Sequence, residues 1–200
     1  MKKDEKNIVS AIRREAYELT ETILICIFVV SLIFTYLLRM ATVDGDSMLD
    51  TFVSGDRVIA AHFHQSLKTG DVILVYADNA FLLNDKGETV KSDGLDKQII
   101  KRVIAAEGQT IDIDFVSGHV FVDGQQLSED YIKGLTHKDS GAFTEQYPLT
   151  VPQGFVFVLG DNRQVSMDSR SGDVGLVSED EIMGKVFLRY YPFNRFSFIK

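Results

Sequence analysis

Two residues of this chain have the types and surroundings needed for hydrolytic chemistry. Ser47 lies in the sequence Gly-Asp-Ser-Met, and Lys101 lies inside the apolar stretch Ile-Ile-Lys-Arg-Val-Ile. A serine hydroxyl needs a base to become a nucleophile, and lysine can be that base in apolar surroundings because burial disfavours its charged form. At its ordinary pKa of ~10.4, lysine is protonated at neutral pH and accepts no proton. The pair predicts a serine hydrolase that works without histidine.

A third polar segment, residues 160–170, reads Gly-Asp-Asn-Arg-Gln-Val-Ser-Met-Asp-Ser-Arg. Taken alone, it is typical of a turn held by Asp–Arg pairs. Ser47 alone is typical of a surface hydroxyl, and Lys101 alone of a strand residue that reaches solvent. The three features together, in this order along the chain, are what indicate an active site.

Composition limits the other classes of function. The chain has 200 residues, a net charge of −8 and 45% hydrophobic residues, so it has no basic footprint for nucleic acid. Its single cysteine, Cys26, excludes a disulfide within the chain. The alternation of His62 and His64 favours a solvated strand face over a metal pair, because no third ligand is suitably spaced. We therefore expect neither a metal nor another cofactor.

An uncharged apolar run near the N-terminus, residues 22–38, predicts a transmembrane helix over residues 22–40. Lysine and arginine are concentrated before the run, and only Arg39 follows closely. The positive-inside rule then places residues 1–21 in the cytoplasm and residues 41–200 outside the cell. A cleaved signal peptide is the alternative, but the run is longer than such peptides need, and Arg39-Met40-Ala41 is a poor cleavage site.

Short β-rich runs separated by Gly-Asp turns predict a mainly β domain over residues 41–200, with a hairpin excursion at about 110–150. Residues 77–98 are polar and predict a hairpin tip or mobile loop, and Ser178 is placed to cap a short helical turn. The predicted strands are Arg57–Ala61, Val72–Tyr76, Ile99–Ala105, Thr110–Phe115, His119–Val122, Phe155–Leu159 and Lys185–Tyr191.

Four ordered blocks of sequence resemble type I signal peptidases, in the short form typical of Gram-positive bacteria. The resemblance covers the anchor and nearly all of the outer domain, and implies a signal-peptidase-like β-sheet catalytic domain behind one N-terminal transmembrane helix. The blocks are residues 43–48, 70–75, 100–104 and 160–170.

The resemblance implies that Ser47 is the nucleophile and Lys101 the general base, a Ser–Lys variant of the serine triad. It pairs Arg102 with Asp168, and it gives Ser166 the task of orienting the lysine amine. Burial and the charge of Arg102, on the opposite face of the strand, would lower the lysine pKa. The Ser47 backbone N–H would be an oxyanion donor. The supporting residues are Met48, Arg102, Asp161, Asn162, Arg163, Ser166, Asp168 and Arg170.

Three positions depart from the pattern of these peptidases. Asp50 replaces a proline that fixes the turn after the serine, and Val165 replaces a common asparagine beside Ser166. Gly45 stands where some members have a serine that supplies a second oxyanion donor, so this donor is missing or comes from elsewhere. These changes affect the expected substrate range more than the chemistry.

The implied activity is that of a serine endopeptidase, anchored in the plasma membrane by one span, that cleaves signal peptides from exported preproteins. Its partners would be these signal peptides and membrane lipid, with the secretion translocase as a further candidate and no nucleic acid. One alternative is a dedicated processor of pilin or another narrow class of substrate, which Asp50 and Val165 suggest. Another is a non-catalytic assembly factor on the same scaffold, which would have no need of Ser47 and Lys101.

Overall fold

The computed structural model describes residues 2–62 and 66–199, with side chains from residue 13 onward. The chain divides into two compact units, Met1–Leu38 and Arg39–Lys200. His64 lies outside the described residues, so its expected alternation with His62 stays a prediction.

The first unit is a single long helix. This helix, α1, spans Lys2–Tyr36, and an 18-residue window within its segment Arg13–Tyr36 has a mean hydropathy of 2.1. At 1.5 Å per residue this segment is about 36 Å long, which by length and composition is enough to cross a bilayer. The helix ends at Tyr36, earlier than residue 40, where the predicted transmembrane span ends, because Leu38–Thr42 forms a strand. Arg39 and Met40 therefore lie in a strand rather than in the helix.

The second unit is built from two antiparallel sheets, which confirms the mainly β fold class. The larger sheet has the order β1-β2-β11-β3-β4-β9-β10, with β12 paired to β11, and the smaller has the order β7-β6-β5-β8. The strands are β1 (Leu38–Thr42), β2 (Arg57–Ala61), β3 (Val72–Leu83), β4 (Thr89–Ala105), β5 (Thr110–Asp114), β6 (His119–Val122), β7 (Gln125–Gln126), β8 (Leu149–Thr150), β9 (Phe155–Leu159), β10 (Val177–Ser178), β11 (Ile182–Tyr191) and β12 (Ser197–Phe198).

Strands β2, β6 and β9 have the predicted bounds, whereas β3 and β4 extend through residues 77–98. The hairpin predicted for this polar region is confirmed, although its tip is shorter than residues 77–98. The alternative of a mobile loop was wrong, because two antiparallel strands satisfy each other's backbone whatever the side chains on their exposed faces. Only the turn at 84–88 remains, where the Asn84 side chain accepts from the Lys86 and Glu88 N–H groups. The predicted helical turn is present at Glu179–Glu181, with Ser178 as its cap.

Two parts of the core determine where the site residues lie. Beneath the start of β2, Met48 and Phe52 pack with Val58, Val72 and Val186. A second cluster joins β4 and β9 to the smaller sheet and contains Ile104, Ile111, Val120, Phe157 and Leu159. The loop after β1 and the middle of β4 are therefore each fixed to packed layers, since well-packed interiors deform little.

Candidate active site

Ser47 lies in the turn that follows β1, and its neighbour fixes that turn to the core. Met48 is buried, and its carbonyl accepts a hydrogen bond from the Phe52 N–H at 2.7 Å. Gly45 has φ of +85°, a backbone conformation that glycine adopts without steric cost. Met48 thus has a structural role, since it holds the loop in place while the Ser47 side chain stays partly exposed.

Lys101 lies in the middle of β4, opposite Ile73 of β3, and only 3% of its surface is exposed. Its Nζ donates to Ser47 Oγ at 3.0 Å and to the Ile100 carbonyl oxygen at 3.2 Å. The fold therefore brings together the two residues in which the sequence predicts a nucleophile and its base. Their separation is that of a direct hydrogen bond, which is the geometry required for proton transfer.

The pKa of Lys101 is lowered to about 8, and burial is the largest cause. The charge of Asp168, and that of Asp161, opposes the shift, while the nearby charges of Lys97 and Arg170 contribute to it. The cations that contribute are therefore Lys97 and Arg170 rather than Arg102, which the sequence favours. With a pKa of about 8, about a tenth of the amine is neutral at pH 7, enough for it to act as a base.

Arg102 pairs with Asp161, so its predicted pairing with Asp168 was wrong. The guanidinium donates to both oxygens of the Asp161 carboxylate, at 2.8 and 2.7 Å, and to the Gly70 carbonyl at 2.8 Å. The Tyr131 ring lies 4.0 Å from the guanidinium carbon. The pairing follows from strand register, since Arg102 lies opposite Leu159 and Asp161 comes two residues later.

Asp168 instead pairs with Arg170, and both side chains are fully buried. The two guanidinium contacts are 2.9 Å long, and Asp168 also accepts from the Gly160 N–H at 3.0 Å. This pair braces the loop over residues 160–170, and its hydrogen bonds in the described part of the chain do not include Ser47.

Arg163 is also fully buried and holds the same loop to the segment before it. Its guanidinium donates to the Gly160 carbonyl at 3.0 Å, to Thr136 Oγ1 at 2.7 Å and to the Glu129 carboxylate. Sequence reasoning missed Glu129 and Thr136, because they lie in an irregular polar stretch without any motif. Thr51, whose hydroxyl donates to Asp161 at 2.5 Å, also gave no signal in the sequence.

Ser166 is buried beside the site but does not make the hydrogen bond expected of it. Its hydroxyl has no hydrogen-bond partner among the described residues. The N–H of Ser166 donates to the Asn162 carbonyl, and this turn places its side chain over Gly160. The second partner of the Lys101 amine is consequently the Ile100 carbonyl.

The absence of a side chain at Gly160 allows this close approach. A Cβ at this position would lie 2.2 Å from Ser166 Oγ and 2.6 Å from the Ser47 carbonyl oxygen. We expect Gly160→Ala to displace the loop that carries Ser47, residues 43–56 between β1 and β2, which we call the nucleophile loop. The displacement should lower kcat by about 100-fold, since misplacements near 1 Å have effects of this size. The control is Gly172→Ala, where a Cβ meets nothing within 4 Å. Steady-state cleavage that is equal in both variants would contradict the prediction.

An open cleft of about 540 Å³ lies above Ser47 and Lys101. One wall is the nucleophile loop, another is the part of β4 that includes Lys97 and Ile99, and Val165 and Met167 complete the lining. Within the described strands, β4 pairs with β9 only from Arg102 onward, so residues 97–101 pair with β3 alone. An extended ligand can therefore pair with the backbone groups of residues 97–101, beside Ser47 and Lys101. Among the described residues, no cluster of His, Cys, Asp and Glu could hold a metal ion.

Comparison with known proteins identifies the family. The family model described as "Signal peptidase, peptidase S26" matches residues 16–191. Signal peptidase I T of Bacillus subtilis (strain 168) is 31% identical over 182 residues, which cover 87% of this chain and 84% of that protein. Signal peptidase IB of Staphylococcus aureus (strain MRSA252) is 28% identical over 204 residues, with 93% and 95% covered.

The chain therefore belongs to the signal peptidase family, peptidase S26, and is a hydrolase of that family. A crystal structure of a signal peptidase I from Enterococcus faecalis V583 is 24% identical and covers 60% of this chain and 97% of that one. Its TM-score is 0.43, a likeness too low to support a further inference.

Proposed function

We propose that this protein cleaves signal peptides from exported preproteins, with Ser47 as the nucleophile and Lys101 as the general base. The observation that carries the proposal is the 3.0 Å hydrogen bond from the buried Lys101 amine to the Ser47 hydroxyl. Relatives named signal peptidase I, similar along most of the chain, supply the substrate class.

In the acylation half of the reaction, Ser47 Oγ attacks the carbonyl carbon of the scissile peptide while Lys101 Nζ takes the hydroxyl proton. The carbonyl π electrons move to oxygen and form a tetrahedral oxyanion. Its collapse breaks the C–N bond, and the departing amine, the new N-terminus of the mature protein, receives the proton held by Lys101. The signal peptide is left as an ester on Ser47.

Deacylation repeats the same steps with water as the nucleophile. Lys101 takes a proton from the water while the water oxygen attacks the ester carbonyl carbon. Lys101 then returns that proton to Ser47 Oγ as the bond between Oγ and the carbonyl carbon breaks. The products are the free serine and the signal-peptide carboxylic acid, which ionises in water. One base can serve both steps because its pKa lies close to the working pH.

The backbone N–H of Ser47 is the oxyanion donor that the site offers. Within the described part of the chain this N–H donates to no protein acceptor. Gly45 has no side chain that could add a second donor from the same loop. Stabilisation of the developing charge therefore depends strongly on how this one N–H is aimed.

The substrate would bind as an extended strand beside residues 97–101 of β4, a mode in which alternate side chains are read. Small side chains at the −1 and −3 positions fit such a site. Val165 lines the cleft, whereas Asp50 does not. Of Asp50 and Val165, Val165 is thus the one placed to change the substrate range, and no described feature favours the pilin-processing or assembly-factor alternatives.

In this proposal the apolar segment of α1 spans the plasma membrane, where lipid surrounds it, and anchors the enzyme there. The lysine and arginine bias supports a cytoplasmic N-terminus and a catalytic domain outside the cell. Confinement to the surface where preproteins emerge raises the effective concentration of substrate, and it would also bring the enzyme near the secretion translocase.

Cleavage of a preprotein in detergent by wild type, Ser47→Ala and Lys101→Ala tests the proposal. We expect each variant to lose activity by about 1,000-fold or more, because the two residues act as one unit. Lys91→Ala and Ser92→Ala, the same substitutions on an exposed part of β4, serve as matched controls and should cleave normally. Substantial cleavage by folded Ser47→Ala would refute the proposed mechanism.

A further inference from the structure

We infer that the side chain of Asn162 is a positioning residue that aims the Ser47 backbone N–H at the oxyanion. The inference rests on the proposed role of Ser47 and adds a residue of the cleft wall that acts by orienting the nucleophile loop.

Asn162 contacts the nucleophile loop at two successive peptide groups. Its backbone N–H donates to the Ser47 carbonyl oxygen at 2.9 Å, and its side-chain Nδ2 donates to the Asp46 carbonyl oxygen at 3.1 Å. Asn162 is itself buried, with 7% of its surface exposed. The two bonds hold the carbonyl groups on both sides of the Ser47 Cα toward the same residue.

The bond from the side chain fixes the direction of the Ser47 N–H. The Asp46 carbonyl and the Ser47 N–H belong to one planar, trans peptide group, so they point in opposite directions. Because the carbonyl points at Asn162, the N–H points away from it, and it meets no acceptor among the described residues. A donor on the carbonyl also polarises the peptide group and strengthens its N–H as a donor.

The bond from Asn162 reaches the loop from outside and adds to the restraint that the buried Met48 provides. The Asp46 carbonyl also accepts from the Leu49 N–H at 3.3 Å, but that bond lies within the loop and moves with it. Asn162 follows Asp161, which two hydrogen bonds hold to Arg102 on β4. Arg102 is the neighbour of Lys101, so Asn162 ties the oxyanion donor to the strand that carries the base.

The identity of residue 45 increases the importance of this restraint. Gly45 gives the loop backbone freedom and contributes no side-chain donor. A single backbone N–H then provides the donor that the loop offers, and its direction depends on the orientation of one peptide group. Asn162 is the described residue outside the loop that sets this orientation.

The test is the kinetics of Asn162→Ala in the full chain, because the substitution removes the side-chain bond and keeps the backbone bond to Ser47. We expect kcat to fall by about 10- to 100-fold with KM within about two-fold of wild type, as for weakening of an oxyanion donor. A tripeptide aldehyde ending in alanine, which forms a tetrahedral adduct with Ser47, should bind more weakly by the same factor. The midpoint of the pH profile should stay near that of wild type.

The matched control is Gln164→Ala. Gln164 lies in the same loop and makes the same kind of bond, from its side-chain amide to the Leu135 carbonyl at 2.7 Å, away from the nucleophile. Its kcat should stay within about two-fold of wild type. If Asn162→Ala does not fold, Asn162→Ser is measured against the same criteria.

A kcat within two-fold of wild type, a loss confined to KM, or a loss of kcat without weaker aldehyde binding would each overturn the role of Asn162. None of these results would affect the proposed function. Activity retained by Ser47→Ala would instead refute that function, whatever the Asn162 variants show.

Discussion

Replacement of Asp161 with alanine will destabilise the catalytic domain by about 3–5 kcal/mol, the size expected when one partner of a buried ion pair is removed. The side chain of Asp161 is fully buried and that of Arg102 nearly so. The substitution leaves the Arg102 charge without its anion and removes the acceptor of the Thr51 hydroxyl. The free energy of unfolding, from urea titration of the full chain in detergent, measures the effect.

A double-mutant cycle distinguishes this pairing from the one that the sequence suggests. In an Arg102→Met background, Asp161→Ala should cost much less, because the stranded charge is already absent. Arg102→Met and Asp168→Ala should be additive to within about 1 kcal/mol, since Asp168 has its own partner in Arg170. Strong coupling of Arg102 with Asp168, and none with Asp161, would show that the pairing described here is wrong.

The arginine pairs show what sequence reasoning can and cannot reach in this chain. Residue types alone indicate that the segment 160–170 contains Asp–Arg pairs. Which aspartate meets Arg102 depends on the register of β9 against β4, where Leu159 lies opposite Arg102. Register is a tertiary property, set by packing of both strands on the core, and the segment carries no local signal for it.

The same limit applies to Ser166 and Asn162. The sequence places both in the right segment, but their side-chain directions come from the turn in which Ser166 N–H donates to the Asn162 carbonyl. In contrast, Ser47 and Lys101 could be predicted from the sequence, because a lone lysine in an apolar strand and a serine after Gly-Asp are unusual patterns. Patterns of residue type thus indicate the reacting groups, while the contacts that orient them require the fold.

The ribbon formed by β3 and β4 was underestimated for a related reason. The β4 half of its outer part, residues 89–98, is mostly polar and exposed, so hydrophobic alternation, which is the main signal for a strand, is absent there. Backbone pairing with β3 nevertheless extends β4 through this region, for example at Lys91, which lies opposite the core-packed Phe81. The end of α1 was misjudged because Leu38–Thr42 is apolar enough to continue a span, yet pairs in a sheet.

Replacement of Lys101 with methionine will abolish cleavage and stabilise the domain at neutral pH. The pKa of Lys101 is about 8 in the folded chain, against 10.5 for an ordinary lysine. Between these values the unfolded chain holds a proton that the folded chain has released, so stability rises with pH across this window and the full cost is present below pH 8. The cost at pH 7 is about 3 kcal/mol. Methionine fills a similar volume without charge and removes this cost.

Urea unfolding of wild type and Lys101→Met at pH values from 7 to 10 measures the difference, in which the titration of tyrosines common to both proteins cancels. The variant should be more stable at pH 7, with its advantage shrinking as the pH rises above 8. Over the same range the wild-type cleavage rate should rise with a midpoint near pH 8, because only the neutral amine accepts the serine proton. Lys91→Met, at an exposed position of the same strand that does not contribute to the Lys101 pKa, should leave stability unchanged between pH 7 and 10. A Lys101→Met protein less stable than wild type at pH 7, or a difference that does not vary with pH, would mean that the buried amine carries no such cost and that folding does not lower its pKa.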